Sequence, residues 1–221
     1  MRQPGFLVER SYYNEALKIV KTAAKAVEVG DPKKEVDHLR PLFDEIQFDR
    51  VQNMISVGID EGANLLVGGL GNPEGYEQGW FVKPTIFADV SNDQRIAQEE
   101  IFGPVLVVIL FEDEADAVRI ANDTPYGLAA YLQTGNSERA GRVAKQLRAV
   151  AVHINGGAVN YGTLFGGYLQ IGNGREGEII WIENYLEIRT LHGVFKNTSF
   201  TSPCLFERIN RQPAWHKSGY A

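Results

Sequence analysis

The sequence predicts an α/β fold with a largely parallel sheet flanked by helices, and three observations carry that prediction. Val105-Leu-Val-Val-Ile-Leu-Phe111 is an unbroken apolar, β-branched run, the signature of a strand covered on both faces. Two further apolar runs, Leu128–Thr134 and Ala149–Asn155, read as strands, the second also buried. Between and before them lie segments with helical periodicity, so strand and helix alternate as in a layered α/β domain.

Each element has its own local reason. Ser11–Val27 reads as a helix capped by Ser11, with Ala16, Leu17, Val20, Ala23, Ala24 and Val27 on one face and Gly30 as the stop. Asp44 opens a second helix with Gln47 three residues later, a capping-box spacing. Its apolar face is Phe48, Val51, Ile55 and Ile59, and Gly62 ends it. Asn64–Val67 is a short strand, followed by the glycine-rich turn Gly68–Gly75. Trp80–Val90 reads as extended, broken by Pro84. Glu112–Asn122 is helical, its acidic start opposing the helix dipole, and Ser137–Leu147 is a helix. From Gly156 to Gly177 glycine is dense, which implies tight turns or backbone approaching something closely. Leu186–Leu191 alternates like an edge strand, and Phe195–Ala221 lacks any period.

Composition excludes several classes. The 221 residues are 44% hydrophobic and 23% charged, in the range of a globular domain. Lys and Arg total 22 against 28 Asp and Glu, a net charge of -6 with no basic block, which argues against nucleic-acid binding. The single cysteine, Cys204, excludes an internal disulfide or a paired-cysteine zinc site. His38, His153, His192 and His216 are scattered, so no metal site is expected. No apolar stretch approaches the roughly 20 residues of a membrane span. No signal-like segment opens the chain, so a cytoplasmic location is expected.

Three motifs in order carry a family resemblance: Gln98-Glu-Glu-Ile-Phe-Gly-Pro-Val105, Asn122-Asp-Thr-Pro-Tyr-Gly-Leu-Ala-Ala130, and Phe165-Gly-Gly-Tyr168 followed by Gly172-Asn-Gly-Arg-Glu176. Together they resemble the C-terminal half of NAD(P)-dependent aldehyde dehydrogenases, over roughly residues 7–193. The resemblance implies that family's catalytic-domain fold, with residues 186–191 as a strand joining an oligomerisation sheet and residues 194–221 as an irregular tail. It implies a chemistry in which a cysteine thiolate attacks an aldehyde, the hemithioacetal gives hydride to nicotinamide, and a glutamate-activated water hydrolyses the thioester.

The same resemblance assigns residues. Glu100 matches the glutamate that hydrogen-bonds the nicotinamide ribose, Phe102 the aromatic beside the nicotinamide, Phe165 an aromatic near the aldehyde pocket, and Glu176 a glutamate placed for proton relay. The alternatives are plain structural roles: Glu100 and Phe102 serving the turn before Val105, Phe165 plugging a sheet end, and Glu176 pairing with Arg175 or a helix terminus. The family's cysteine precedes the stretch matching Phe6-Leu-Val8, where this sequence has only Met1–Gly5. No catalytic residue is therefore expected here. The expectation is an aldehyde-dehydrogenase fragment, inactive alone, that binds no cofactor by itself and needs a chain carrying the missing half. A pseudoenzyme or an interaction module assembling as a homo-oligomer is the other expectation. Leu164, Leu169 and Ile171 depart from the family's Pro, Lys and Ser, and the changes at Leu169 and Ile171 are expected to add apolar surface. Gly172-Asn-Gly-Arg-Glu-Gly177 fits a dinucleotide fingerprint in spacing but lacks the strand before it and the helix after it.

Overall fold

A computed structural model describes residues 5–34, 38–157, 163–177, 182 and 185–187. The chain divides into two compact units, residues 1–185 and 186–221, and the architecture below is that of the first.

Its centre is a four-stranded sheet in the order β1-β4-β3-β2. These strands are β1 (Gly5–Glu9), β2 (Asn64–Val67), β3 (Thr85–Ala88) and β4 (Val105–Phe111). The long apolar run is central, as its composition requires: β4 pairs in parallel with β1 on one edge and β3 on the other. β2 closes the far edge antiparallel to β3. Successive side chains of β4 go to opposite faces. Val107 and Ile109 join a core with Phe87 of β3 and with Val51, Met54 and Ile55 of helix α2 (Glu45–Asp60). Val108 instead joins Val8, Ile86 and Tyr13 under helix α1 (Tyr13–Ala26). The sheet is thus covered on both faces.

Several local expectations are corrected. Ser11 does not cap α1, because residues Arg10–Tyr12 first form a 3-10 turn in which the Ser11 hydroxyl donates to Glu9 Oε1 (2.8 Å). Gly30 does not stop that helix, which ends at Ala26; its missing Cβ makes room for the His38 ring, which a Cβ would meet at 2.7 Å. In α2 the buried stripe is Val51, Met54, Ile55 and Gly58, while Ile59 faces outward. Gly58 sits there because a Cβ would come within 3.0 Å of Ile96. The Asp44 cap is as the spacing predicts, its carboxylate accepting from Gln47 N at 2.8 Å. Of Trp80–Val90 only Thr85–Ala88 is a strand, starting immediately after Pro84, which has no N–H to give a ladder.

After β4 come α4 (Glu114–Asn122), capped by Asp113, and then β5 (Ala129–Leu132), α5 (Ser137–Ala144) and β6 (Ala151–Ile154). The short helix α3 (Arg95–Gln98) precedes β4. α5 stops three residues before the expected Leu147, because Asn122 takes the chain: its side chain donates to Gln146 O (2.8 Å) and accepts from Arg148 N (2.7 Å). β5 and β6 pair in parallel as a separate two-stranded sheet. β6 is not the buried strand its composition suggests, since all four residues keep partial exposure. The antiparallel pair β7 (Phe165–Gly166) and β8 (Arg175–Glu176) ends the described fold. Of the strand expected at Leu186–Leu191 only residues 186 and 187 are described, and the tail expected at 194–221 lies wholly outside the described residues, with Cys204. No helix among the described residues is long and apolar enough to cross a membrane.

Candidate functional site

The N-terminal turn of α2 and the segment Glu99–Gly103 form one structural unit. Gln47 accepts from Phe43 N through Oε1 (3.1 Å) and donates through Nε2 to Phe102 O (2.7 Å). One turn along, Arg50 donates to Glu100 O (3.0 Å), and its guanidinium carbon lies 5.2 Å from the centre of the Phe102 ring. Ile101 between them is buried in the main core. Phe102 is held at φ 57°, a left-handed conformation an aromatic residue adopts only when its surroundings impose it. The next residue has to be glycine, since a Cβ on Gly103 would stand 2.7 Å from the Val51 side chain. Gln47 was read only as the partner of the Asp44 cap and Arg50 carries no motif, so the sequence reading missed their part in this turn. The helical spacing that places Gln47 and Arg50 on neighbouring turns is visible in sequence, but their target about 50 positions away is not.

The turn leaves Glu100 free to act. Its neighbour Glu99 is committed to Arg95 (2.9 Å), whose hydrogen bond holds the Glu99 carboxyl below its ordinary pKa. Among the described residues no hydrogen bond or ion pair engages the Glu100 carboxylate, and Phe102 is 44% exposed. A carboxylate can accept from two hydroxyls of a diol, and an exposed ring can pack on a flat heterocycle, so this donor set fits one end of a nicotinamide nucleoside.

Glu100 also lines a cavity of about 50 Å³ with Asn122, Thr124, Tyr126, Arg148 and Ile171. That space is large enough to hold ordered water. Its lining joins residues of the first two sequence motifs with Ile171 of the glycine-dense loop. The glycine-dense loop is seated by Tyr168 N donating to Gly127 O and Gln170 N to Pro125 O, both at 3.1 Å. Gly127 is required at that seat, because a Cβ would meet Tyr168 Cβ at 2.7 Å.

Within the loop Arg175 is the organiser. Its Nη1 donates to the carbonyls of Gly167 (2.9 Å), Asn173 (3.2 Å) and Gly174 (2.9 Å), and its guanidinium lies over Tyr168. The expected pairing of Glu176 with Arg175 is replaced by this carbonyl set. Phe165 and Glu176 stand directly opposite each other across β7 and β8, both exposed, so the structure brings these two predicted residues together. Among the described residues no hydrogen bond, ion pair or ring contact joins them to Glu100 or Phe102. Phe165 does not plug the sheet end, being exposed. No group of three or more metal-ligating side chains occurs among the described residues.

Comparison with known proteins accounts for this arrangement. The sequence model of the aldehyde dehydrogenase family matches residues 2–191. A 3-succinoylsemialdehyde-pyridine dehydrogenase from a Pseudomonas species is 46% identical over 187 residues, covering 85% of this chain and 39% of the relative. A protein named putative aldehyde dehydrogenase in Staphylococcus aureus is 44% identical over 86% of this chain and 40% of its own length. Among solved structures, an aldehyde dehydrogenase from Bartonella henselae superposes with a TM-score of 0.80 at 42% identity. A mutant of aldehyde dehydrogenase C from Pseudomonas syringae, crystallised with NAD+ and octanal, gives 0.80 at 45%. Each covers 83% of this chain and 38% of the solved one, so the chain spans about two-fifths of the length of these relatives. With motifs, fold and most of its length in agreement, the chain belongs to the aldehyde dehydrogenase family.

Proposed function

We propose that this chain supplies the nicotinamide end of the cofactor site, and part of the aldehyde-facing loop, for NAD(P)-dependent oxidation of an aldehyde to a carboxylic acid. The observation that supports the reading is the Glu99–Gly103 turn, locked by Gln47 and Arg50 so that the Glu100 carboxylate is presented uncommitted and the Phe102 ring, though it carries the Arg50 guanidinium, stays exposed. When bound, the cofactor supplies the hydride acceptor. Glu100 binds and orients the ribose through its diol, and Phe102 bears on the ring beside it. Phe165 and Glu176 stand on the loop that faces the reacting aldehyde. The nucleophilic cysteine, the base glutamate and the dinucleotide-binding domain are not among these 221 residues, so the chain alone is inactive in this reading and works with whatever supplies them.

A direct test uses a chimera in which residues 2–191 replace the matching stretch of the Pseudomonas 3-succinoylsemialdehyde-pyridine dehydrogenase. The 221-residue chain forms no NAD(P)H from an aldehyde and either cofactor, whereas the chimera does. Glu100→Gln in the chimera raises KM for the cofactor by about tenfold, the scale of losing hydrogen bonds to a charged acceptor. Turnover by the isolated chain, or a folded chimera without turnover, would overturn the reading.

A further inference from the structure

Asn155-Gly156 and Asn173-Gly174 set the same dipeptide in two different surroundings. In such a pair the asparagine side chain is open to attack from its own main chain, because glycine has no Cβ to restrict the next nitrogen. Just after β6 the Asn155 side chain is tied at both ends. Its Oδ1 accepts from Thr134 N and its Nδ2 donates to Thr134 O, each at 2.9 Å. Its main chain is held as well, Asn155 N donating to Leu132 O at 2.8 Å. Asn173 lies between the 3-10 turn Leu169–Ile171 and β8, and it and both glycine neighbours are exposed. A Cβ on Gly172 or Gly174 would meet nothing within 4 Å, so open space flanks the side chain. Among the described residues no hydrogen bond engages the Asn173 side-chain amide. Its main-chain carbonyl, by contrast, accepts from Arg175 Nη1 (3.2 Å).

We propose that Asn173 deamidates spontaneously in the folded chain while Asn155 is protected, and that the product unseats the loop carrying Phe165 and Glu176. The Gly174 nitrogen, its proton taken by base, attacks Asn173 Cγ. The N–Cγ bond forms, the Cγ–Nδ2 bond breaks, and Nδ2 leaves as ammonia with a proton from solvent. Water then opens the cyclic imide. Cleaving the new N–Cγ bond gives aspartate. Cleaving the original peptide bond gives isoaspartate, whose main chain runs through Cβ and Cγ and is one carbon longer. That second product turns the carbonyl now held by Arg175 into a free carboxylate, a stronger partner for the guanidinium than the Gly167 and Gly174 carbonyls it also binds. Arg175 is drawn off Gly167, next to the Tyr168 amide that seats the loop on Gly127. The reaction needs neither cofactor nor partner chain.

The purified 221-residue chain is incubated at neutral and mildly alkaline pH, then digested and read by peptide mass spectrometry. Modification at Asn173, a gain of about 1 Da, exceeds that at Asn155 by about tenfold or more, the scale set by the two hydrogen bonds that hold Asn155. It quickens as pH rises. In urea, with the Thr134 bonds gone, the two sites react at similar rates. Gly174→Ala, whose methyl enters open space, slows the reaction at Asn173 by about tenfold, because a Cβ restricts the backbone. Hydrogen exchange at the Tyr168 and Gln170 amides is faster in the aged chain than in the fresh one, and the aged Gly174→Ala chain matches fresh protein. Equal rates at the two sites in the folded chain, or an Asn173 that stays intact while Asn155 reacts, would overturn the proposal. A chain modified at Asn173 with unchanged exchange at Tyr168 and Gln170 would overturn the effect on the loop.

Discussion

The four-stranded sheet and the β5–β6 pair are made of similar strands, yet they are buried very differently. β3 is buried at all four positions and β4 at most of its seven, whereas β5 and β6 have no buried residue between them. Both are parallel where they alternate with helices. What differs is the number of neighbours. β4 has a strand on each edge and a helix layer on each face, while β5 and β6 have each other and α5. Composition sets a strand's capacity for burial, and the surroundings determine how much of it is used.

The largest expected effect separates the two sheets by stability. Phe87→Ala empties a fully buried site in β3 and is expected to cost about 3–5 kcal/mol. Leu132→Ala in β5, only half-buried, costs about 1 kcal/mol. Urea unfolding of both variants measures this, and equal losses would break the comparison.

A smaller effect tests whether the glycine-dense loop belongs to the β5–β6 region alone. Gly127→Ala places a methyl 2.7 Å from Tyr168 Cβ and 3.0 Å from Arg148 O, overpacking worth about 1–3 kcal/mol. Hydrogen exchange should quicken at the amides of Tyr168 and Gln170, which dock on Gly127 and Pro125, with β3 and β4 unchanged. Faster exchange in the four-stranded sheet as well would show one cooperative unit.

The smallest effect lies on the other face of the main sheet. The Tyr13 hydroxyl accepts from Asp89 N (2.7 Å), and burial raises the phenol's pKa above its ordinary value. The folded state therefore keeps the proton longer than the unfolded state. The contribution is full below the unfolded pKa of about 10 and is lost as pH rises through the folded value. Tyr13→Phe should remove that alkaline loss, while costing about 1 kcal/mol at neutral pH through the unpaired Asp89 amide. Melting curves across alkaline pH read both, and an unchanged slope would assign it to another group.

Much of the scaffold was legible residue by residue. Asp44 with Gln47, Val105–Phe111 and the acidic start of α4 are local signals, and each gave the element it implied. β1, Gly5–Glu9, was not read as a strand. Ser11 misled because Glu9 competed for its hydroxyl, and Ile59 because α2 presents Gly58 to Ile96 instead. At the site, motif spacing identified Glu100, Phe102, Phe165 and Glu176, but only geometry paired Phe165 with Glu176 and showed Glu100 uncommitted.

By itself, then, the sequence determined the α/β class, the central position of the Val105–Phe111 strand, the cap of α2 and the family to which the three motifs belong. The class, the strand and the cap depend on periodicity and capping, which act within a few residues, and the family rests on the resemblance of the three motifs in order. The tertiary structure alone decided which strands are buried, that Asn122 ends α5, and that Gln47 and Arg50 hold Phe102 in a left-handed conformation. Those outcomes depend on contacts between residues some 25 to 55 positions apart, where the partner of a side chain is fixed by how helices pack on the sheet.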